Sequence, residues 1–323
     1  MTTSSQPRGL VTDFLFKEQA VPGVVATGNY IKTFIYSHGL EETEPFEEDR
    51  ILGVTRHNNR DQTEPAPGLP NAAGSIDFPV DLNHIGYVLK GVFGAPVSTG
   101  PTNFTHVFTS GLEVLPHFTC ETKLAAADFR QYDAVLMNTV SLELARAPGF
   151  QRCQVGALFR KENKLAASGG GTPDAAISRI PFAAAAGALK INTGGGYVLA
   201  GRLNSASFNY DNKAKPQEYV NNKWIAGHDL DEPASAGGSF GTRYIDSTYY
   251  DLAKAKSLLG IQFVWEVSAN LSLTIEMPNA RLAPKGTPIS GPAGLDVSYD
   301  YRAEQVNSAP MVTATLKNQT ATY

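Results

Sequence analysis

The sequence predicts a mainly β protein: two tandem β-sandwich or partial-barrel modules, each with one flanking short α-helix, plus an N-terminal arm and long loops. Three observations predict it. Apolar and polar residues alternate with period two along most of the chain, as in antiparallel strands with one buried face and one wet face. Helical periodicity is confined to two short stretches. Those two stretches also stand in like surroundings. Gly74-Ser75 opens an alternating run (Ile76, Phe78, Val80) that leads into the first, and Gly238-Ser239 opens a run (Phe240, Thr242, Tyr244) that leads into the second. The two Gly-Ser pairs lie 164 positions apart in a chain of 323 residues, so the pattern reads as two copies of one unit.

Residues 1–50 read as an irregular arm. Val21-Pro22-Gly23 breaks any element, Ile31 to Tyr36 is a short strand, and the acidic stretch Glu41 to Asp49 is a solvated segment. The first module covers residues 51–165. Its residues 56–73 are polar and proline-rich, which makes a long loop. Ile85, Val88, Leu89 and Val92 then fall on one helical face, with Asn83 as N-cap and Gly94 as stop. Val140, Leu142 and Leu144 alternate with Ser141, Glu143 and Ala145, and a further strand spans residues 151–160. Residues 166–195 form a Gly/Ala-rich linker, in which Ser168 to Pro173 is a flexible joint.

The second module covers residues 196–323. Ala206, Phe208 and Tyr210 mark a strand, and residues 211–237 form a second long polar loop. Tyr249, Leu252, Lys256 and Leu259 share a helical face, capped by Asp246 or Ser247 and ended by Gly260. Leu271 to Met277, Leu295 to Tyr301 and Met311 to Lys317 read as the closing strands.

Apolar residues make up 42% and charged residues 18%, enough for a packed core and too little charge for a disordered chain. The net charge of -4 gives no basic footprint for tight nucleic-acid binding. No run approaches the ~18 apolar residues of a membrane-spanning helix. Met1 to Ser5 are polar and lack the apolar core of an export signal, which predicts synthesis in the cytoplasm. Cys120 and Cys153 lie on the apolar phase of alternating runs, so both are expected to be buried, reduced thiols.

No catalytic constellation emerges. Gly237-Gly238-Ser239-Phe240-Gly241 matches G-x-S-x-G, but Asp229 to Ala236 are polar and include Pro233. No buried strand leads into the serine, as a hydrolase elbow requires. The motif reads instead as a turn entering a strand. Gly169 to Gly171 and Gly194 to Gly196 lack the lysine and hydroxyl residue of a phosphate loop. His38, His57, His84, His106, His117 and His228 are dispersed, with no pair at i, i+4. A non-enzymatic protein with no cofactor and no metal is expected.

Several segments in this order resemble the tail tube (major tail) proteins of long-tailed bacteriophages. They are Ala73 to Asp81 with the following helix to Phe93, Asn138 to Leu144 followed by Cys153 to Phe159, Ile289 to Val297, and the closing Val312 to Asn318. The likeness covers most of residues 50–318. It implies β-sandwiches with a flanking helix that assemble into six-fold or pseudo-six-fold rings, stacked into a hollow tube through which genome DNA passes without specific binding. Joined inner sheets would leave no exposed edges. With two modules per chain, three chains would complete a ring; otherwise six would. The tape measure, tail tip and terminator proteins of the tail would be partners, and the chain would be assembled in the host cytoplasm into the virion.

Glu143, Glu276, Asp296 and Asp300, on polar strand faces, are candidates for the lumen wall. Arg60, Asp61, Gln62, Glu64, Lys213, Lys215, Glu218, Tyr219 and Trp224, in the long loops, are candidates for contacts between rings. The alternative is a β-sandwich carbohydrate- or receptor-binding virion module, which would cluster exposed aromatics such as Tyr210, Tyr219 and Trp224.

Overall fold

The computed structural model describes residue 9 and residues 12–48, 64–286 and 294–323. The first half holds β1 (Phe14–Glu18), β2 (Ile31–Thr33), β3 (Ser37–His38), β4 (Glu41–Thr43), β5 (Phe46–Glu47), β6 (Ala66–Pro67), β7 (Asn71–Pro79) and helix α1 (Ile85–Phe93). It continues through β8 (Val97–Thr99), β9 (Phe104–Thr109), β10 (Phe118–Ala125), β11 (Asp128–Ala145), β12 (Arg152–Leu158) and β13 (Lys161–Leu165). The second half holds β14 (Gly187–Asn192), β15 (Tyr197–Leu199), β16 (Leu203–Asp211), β17 (Lys215–Gln217), β18 (Gly227–Asp229), β19 (Ser235–Arg243) and helix α2 (Thr248–Ala255). It closes with β20 (Leu259–Ser268), β21 (Leu271–Leu282), β22 (Asp296–Ala303) and β23 (Thr313–Asn318).

The strand pairings of one half recur in the other. β1 pairs with β2 and β10, and β14 with β15 and β20. β3 and β4 pair with β7, and β16 with β19. β7 pairs with β12 and β12 with β11, as β19 pairs with β22 and β22 with β21. β11 pairs with β10 and β13, as β21 pairs with β20 and β23.

Register repeats as well. Gly74 faces Ala157 and Ile76 faces Val155, as Gly238 faces Tyr301 and Phe240 faces Tyr299. The recurring glycine has a steric cause. A Cβ at Gly74 would strike the carbonyl of Gly39, and one at Gly238 the carbonyl of Ser207. Gly39 and Ser207 are themselves equivalent, since they follow His38 and Ala206, the partners of Ile76 and Phe240.

β16 joins the halves. It lies between β19 on one side and the C-terminal part of β11 on the other. One sheet therefore runs β3/β4–β7–β12–β11–β16–β19–β22 across both halves. Two smaller sheets, around β10 and around β20, cover its apolar face. β11 passes from the large sheet to the small one at Ala134, whose φ of 52° kinks the strand. β21 makes the same passage at Pro278, where its register with β20 shifts. One main core results, in which Ile76, Val88 and Val155 share a cluster with Phe240, Phe263 and Leu273, and Leu15, Ala26 and Tyr30 form a small separate cluster. Phe208, Phe240 and Phe263 are fully buried, and each such side chain contributes about 1.5–3 kcal/mol.

The alternating strands form as expected: Val140, Leu142, Leu144, Ala206, Phe208, Tyr210, Leu273, Ile275, Met277, Val297, Tyr299 and Tyr301 are all buried. Five details differ. Residues 14–18 form a strand where an irregular arm was expected. Phe14, Leu15 and Phe16 are buried in succession between β10 and β2, so there is no alternation to read. The expected flexible joint is tied down, with Gly169 N donating to Glu121 Oε2 at 2.8 Å and Asp174 N to the Tyr30 carbonyl at 3.0 Å. The residue preceding α1 is His84, because the Asn83 side chain turns away to donate to the Ser178 carbonyl at 2.9 Å. Lys256, at φ 50°, ends α2 in the left-handed conformation, ahead of the expected stop Gly260, which instead lies within β20. The two polar loops are also shorter than expected: residues 71–73 belong to β7 and residues 235–237 to β19.

Candidate functional site

The outer face of the large sheet is polar and made mostly of small side chains. Pairing places Ser75, Asp77, Ser141, Glu143, Gln154, Ser205, Ser207, Asn209, Ser239, Ser298 and Asp300 on this one face. Period-two alternation has put the apolar partners of these residues into the core, so the polar phase of six strands forms one surface. Ser207 Oγ lies 3.2 Å from Ser239 Oγ, Asn204 donates to Asp296 at 3.2 Å, and Ser37 donates to Asp77 at 3.0 Å. The acids on this face include Asp77, Glu143, Asp211, Asp296 and Asp300. The bases include Arg152, Arg243 and Arg302, with Arg281 paired opposite Arg302. Arg152 is stacked over the Tyr36 ring at 4.1 Å, and Lys285 lies 3.7 Å from Asp300.

Of the four acids singled out from the sequence, Glu143, Asp296 and Asp300 share this face. Glu276 lies elsewhere, between Gln262 and Thr313 in the sheet around β20, where its Oε1 accepts a hydrogen bond from Tyr197 Oη at 2.8 Å. Burial, and then that carboxylate, raise the Tyr197 hydroxyl above its usual range. Asp77 and the three arginines were missed. Each sits on the polar phase of its strand, but phase alone cannot say which strands adjoin.

The second surface is the arm between β16 and β19. Its base is the β17–β18 hairpin, and it folds over the first half of the chain. Trp224 Nε1 donates to Glu42 Oε1 at 3.0 Å, Lys223 pairs with Glu44 at 2.7 Å, and Lys161 lies 4.2 Å from the Trp224 ring centre. Lys213 pairs with Asp211 at 3.2 Å, and Lys215 pairs with Glu232. Glu218, Tyr219 and Val220 stay exposed at the tip. Glu64 is exposed near the equivalent β5–β6 hairpin, while Arg60, Asp61 and Gln62 lie outside the described residues.

The fold brings together two histidines that the sequence keeps 111 positions apart. His228 Nδ1 is 3.4 Å from His117 Nε2, and the rings are stacked at 5.5 Å. Burial and then His117 lower His228 to about 4, against the opposing pull of Asp229. Burial also lowers His117, opposed by the Leu115 backbone and Asp133. Among the described residues, no group of three His, Cys, Asp or Glu side chains could hold a metal. Ser239 sits in mid-strand opposite Asp300, so its G-x-S-x-G setting is a strand rather than the turn expected. Cys120 and Cys153 are free and buried, and burial raises both thiols, Cys153 to about 12.

Two interlocked copies of one β unit, polar along a broad sheet face and closed over one main core, make a mainly β protein. The chain belongs to the phage tail tube protein family, whose model matches residues 9–303. No curated protein matches it. Membership makes the chain a structural, non-enzymatic component of the virion tail, of a kind that self-assembles into a tube and meets other tail proteins.

Proposed function

We propose that three copies of this chain form a six-unit ring, and that stacked rings make the conduit through which genome DNA leaves the capsid. The two units would be residues 14–165 and 187–318. The observation that carries this reading is the sheet junction between β11 and β16, which links unit to unit within one chain. The equivalent of β16 in the first unit is the β3/β4 edge, which pairs with β7. Among the described residues its other edge has no strand partner, so it is a place for a neighbouring chain to continue the sheet.

In this reading the polar face lines the bore, with Glu143, Asp296, Asp300 and Asp77 among its acids. A wall without excess positive charge avoids phosphate contacts, each of which would add salt-dependent affinity and drag. Glu276 would then stand outside the bore. The arm tips around Glu218 and Tyr219, and the equivalent loop carrying Glu64, would touch the next ring. The tape measure, tail tip and terminator proteins would meet the tube along its length or at its ends, after assembly in the host cytoplasm.

Cryo-electron microscopy of assembled protein tests the reading directly. Three chains per ring with the polar face inward is the expected result. Six chains per ring, or a bore lined by another surface, would overturn it. Changing Glu143, Asp296 and Asp300 to Lys should preserve tubes and slow DNA delivery.

A further inference from the structure

Apart from the β8–β9 hairpin of the first copy, which pairs with β23 of the second, the two copies are alike in strand pairing and unlike in cover. On the first copy, residues 177–184, which lead into β14, run along the end of β7 and the start of α1. Phe182 N donates to the Val80 carbonyl at 3.2 Å, Leu82 N to the Ile180 carbonyl at 3.1 Å, and Gln151 N to the Phe182 carbonyl at 2.8 Å. Pro181 bridges Asp81. Beneath this cover Val80 and Leu82 are 0% exposed, and Phe182 itself is 1% exposed.

On the second copy the register assigns Tyr244, Ile245 and Asp246 to the places of Val80, Asp81 and Leu82. The platform is the same: Tyr244 N donates to the Leu295 carbonyl at 2.8 Å, as Val80 N does to that of Gln151 at 2.9 Å. No described residue takes the place of residues 177–184. Ile245 is 60% exposed, and with Val198 (65%) and Leu199 (67%) it rims a groove of about 200 Å³ floored by Val297 and Tyr299.

We propose that this groove receives the segment N-terminal to Phe14 of a second copy of the chain. Within one chain, the stretch before β14 covers the unit that precedes it. β1 has strand partners equivalent to those of β14, so the stretch before β1 stands in the same relation to the unit that would precede the first around a ring. In a ring, that unit is the second one of the neighbouring chain. The segment carries Leu10 and Val11 a few positions before β1, as Phe182 lies a few positions before β14. They supply apolar side chains for a groove rimmed by Val198, Leu199 and Ile245. The contact is head-to-tail, the kind that closes into a ring when the rotation between chains permits. This inference rests on the ring proposed above.

The test uses full-length chains with single cysteines placed at Arg8, Gly9, Leu10 or Val11 and at Val198, the native thiols being buried. Oxidising assembled mixtures of Leu10→Cys with Val198→Cys chains should give a covalent dimer, and the double variant a ladder up to trimer on a non-reducing gel. Removing residues 1–11 should leave folded chains and lower ring formation about tenfold or more. If none of the four positions links to residue 198 of another chain in normally assembled tubes, or if the truncated chain assembles normally, the inference falls and the tube reading stands. If the full-length chain forms no rings, the ring reading falls and takes this inference with it.

Discussion

The helices α1 and α2 occupy equivalent places in the two halves, yet they live in different surroundings. Seven of the nine residues of α1 are buried, while only Ala253 is buried in α2. α1 is covered by residues 177–184 and by the C-terminus, where the Tyr323 ring lies 5.0 Å from that of Tyr87. The approach to α2 and its first residue, from Tyr244 to Thr248, are exposed. Equivalent strand ladders therefore carry unequal burial. The equivalent ladders lie within each unit, whereas the cover over the first comes from the segment that joins it to the second.

The largest test of that contrast is at the cover. Phe182→Ala should destabilise the free chain by about 3–5 kcal/mol, because it opens a cavity in the closed groove. Ile245→Ala, at the equivalent open groove, should stay within about 0.5 kcal/mol. Denaturant unfolding of the free chain measures both. Similar losses at the two sites would end the comparison.

The next test asks whether the ladders are as alike as their registers. Gly74→Ala and Gly238→Ala should each cost about 1–3 kcal/mol, because each new methyl group meets the backbone carbonyl of the neighbouring strand. A large loss at one glycine and none at the other would show that the repeat is one of pattern only. Cys120→Ala and Cys153→Ala should cost roughly 1–3 kcal/mol each through small cavities. Neither thiol should react with alkylating reagents in the native chain.

The smallest expected effect concerns the arm that crosses from the second half to the first. The folded-state values of His117 and His228 lie below the ordinary histidine value, so the unfolded chain takes up protons first as pH falls. The stability they contribute is full above about 6.5 and is lost progressively toward the His228 value of about 4. Acid should therefore loosen the arm, and Trp224 fluorescence should report it. The same titration in His228→Gln should be flatter across that window. An unchanged curve would mean that the Trp224 contacts hold the arm without the histidine pair.

Much of this was legible in the chain. The Gly74 and Gly238 repeat marked true equivalents, because a carbonyl of the adjacent strand excludes any larger residue at both places. The alternation around Phe208, Ile275 and Tyr299 predicted burial correctly, because a strand in a half-wet sheet must send every second residue inward. β1 was hidden, because a strand covered on both faces shows no period. β14 was hidden within a Gly/Ala-rich stretch.

Fold class and the polar phase of each strand could thus be read from the chain, since these depend on neighbours within a few residues. Only the tertiary structure decided which polar phases share one face, why Glu276 is not among them, and how His117 meets His228. Those outcomes depend on pairings distant in sequence, such as Leu158 with Ala73 and Thr139 with Asp211, and local periodicity does not encode partner choice. The tertiary structure also decided that two units of like pattern bury unlike surfaces. The segment before β14 covers the first unit, and among the described residues no segment covers the second in the same way.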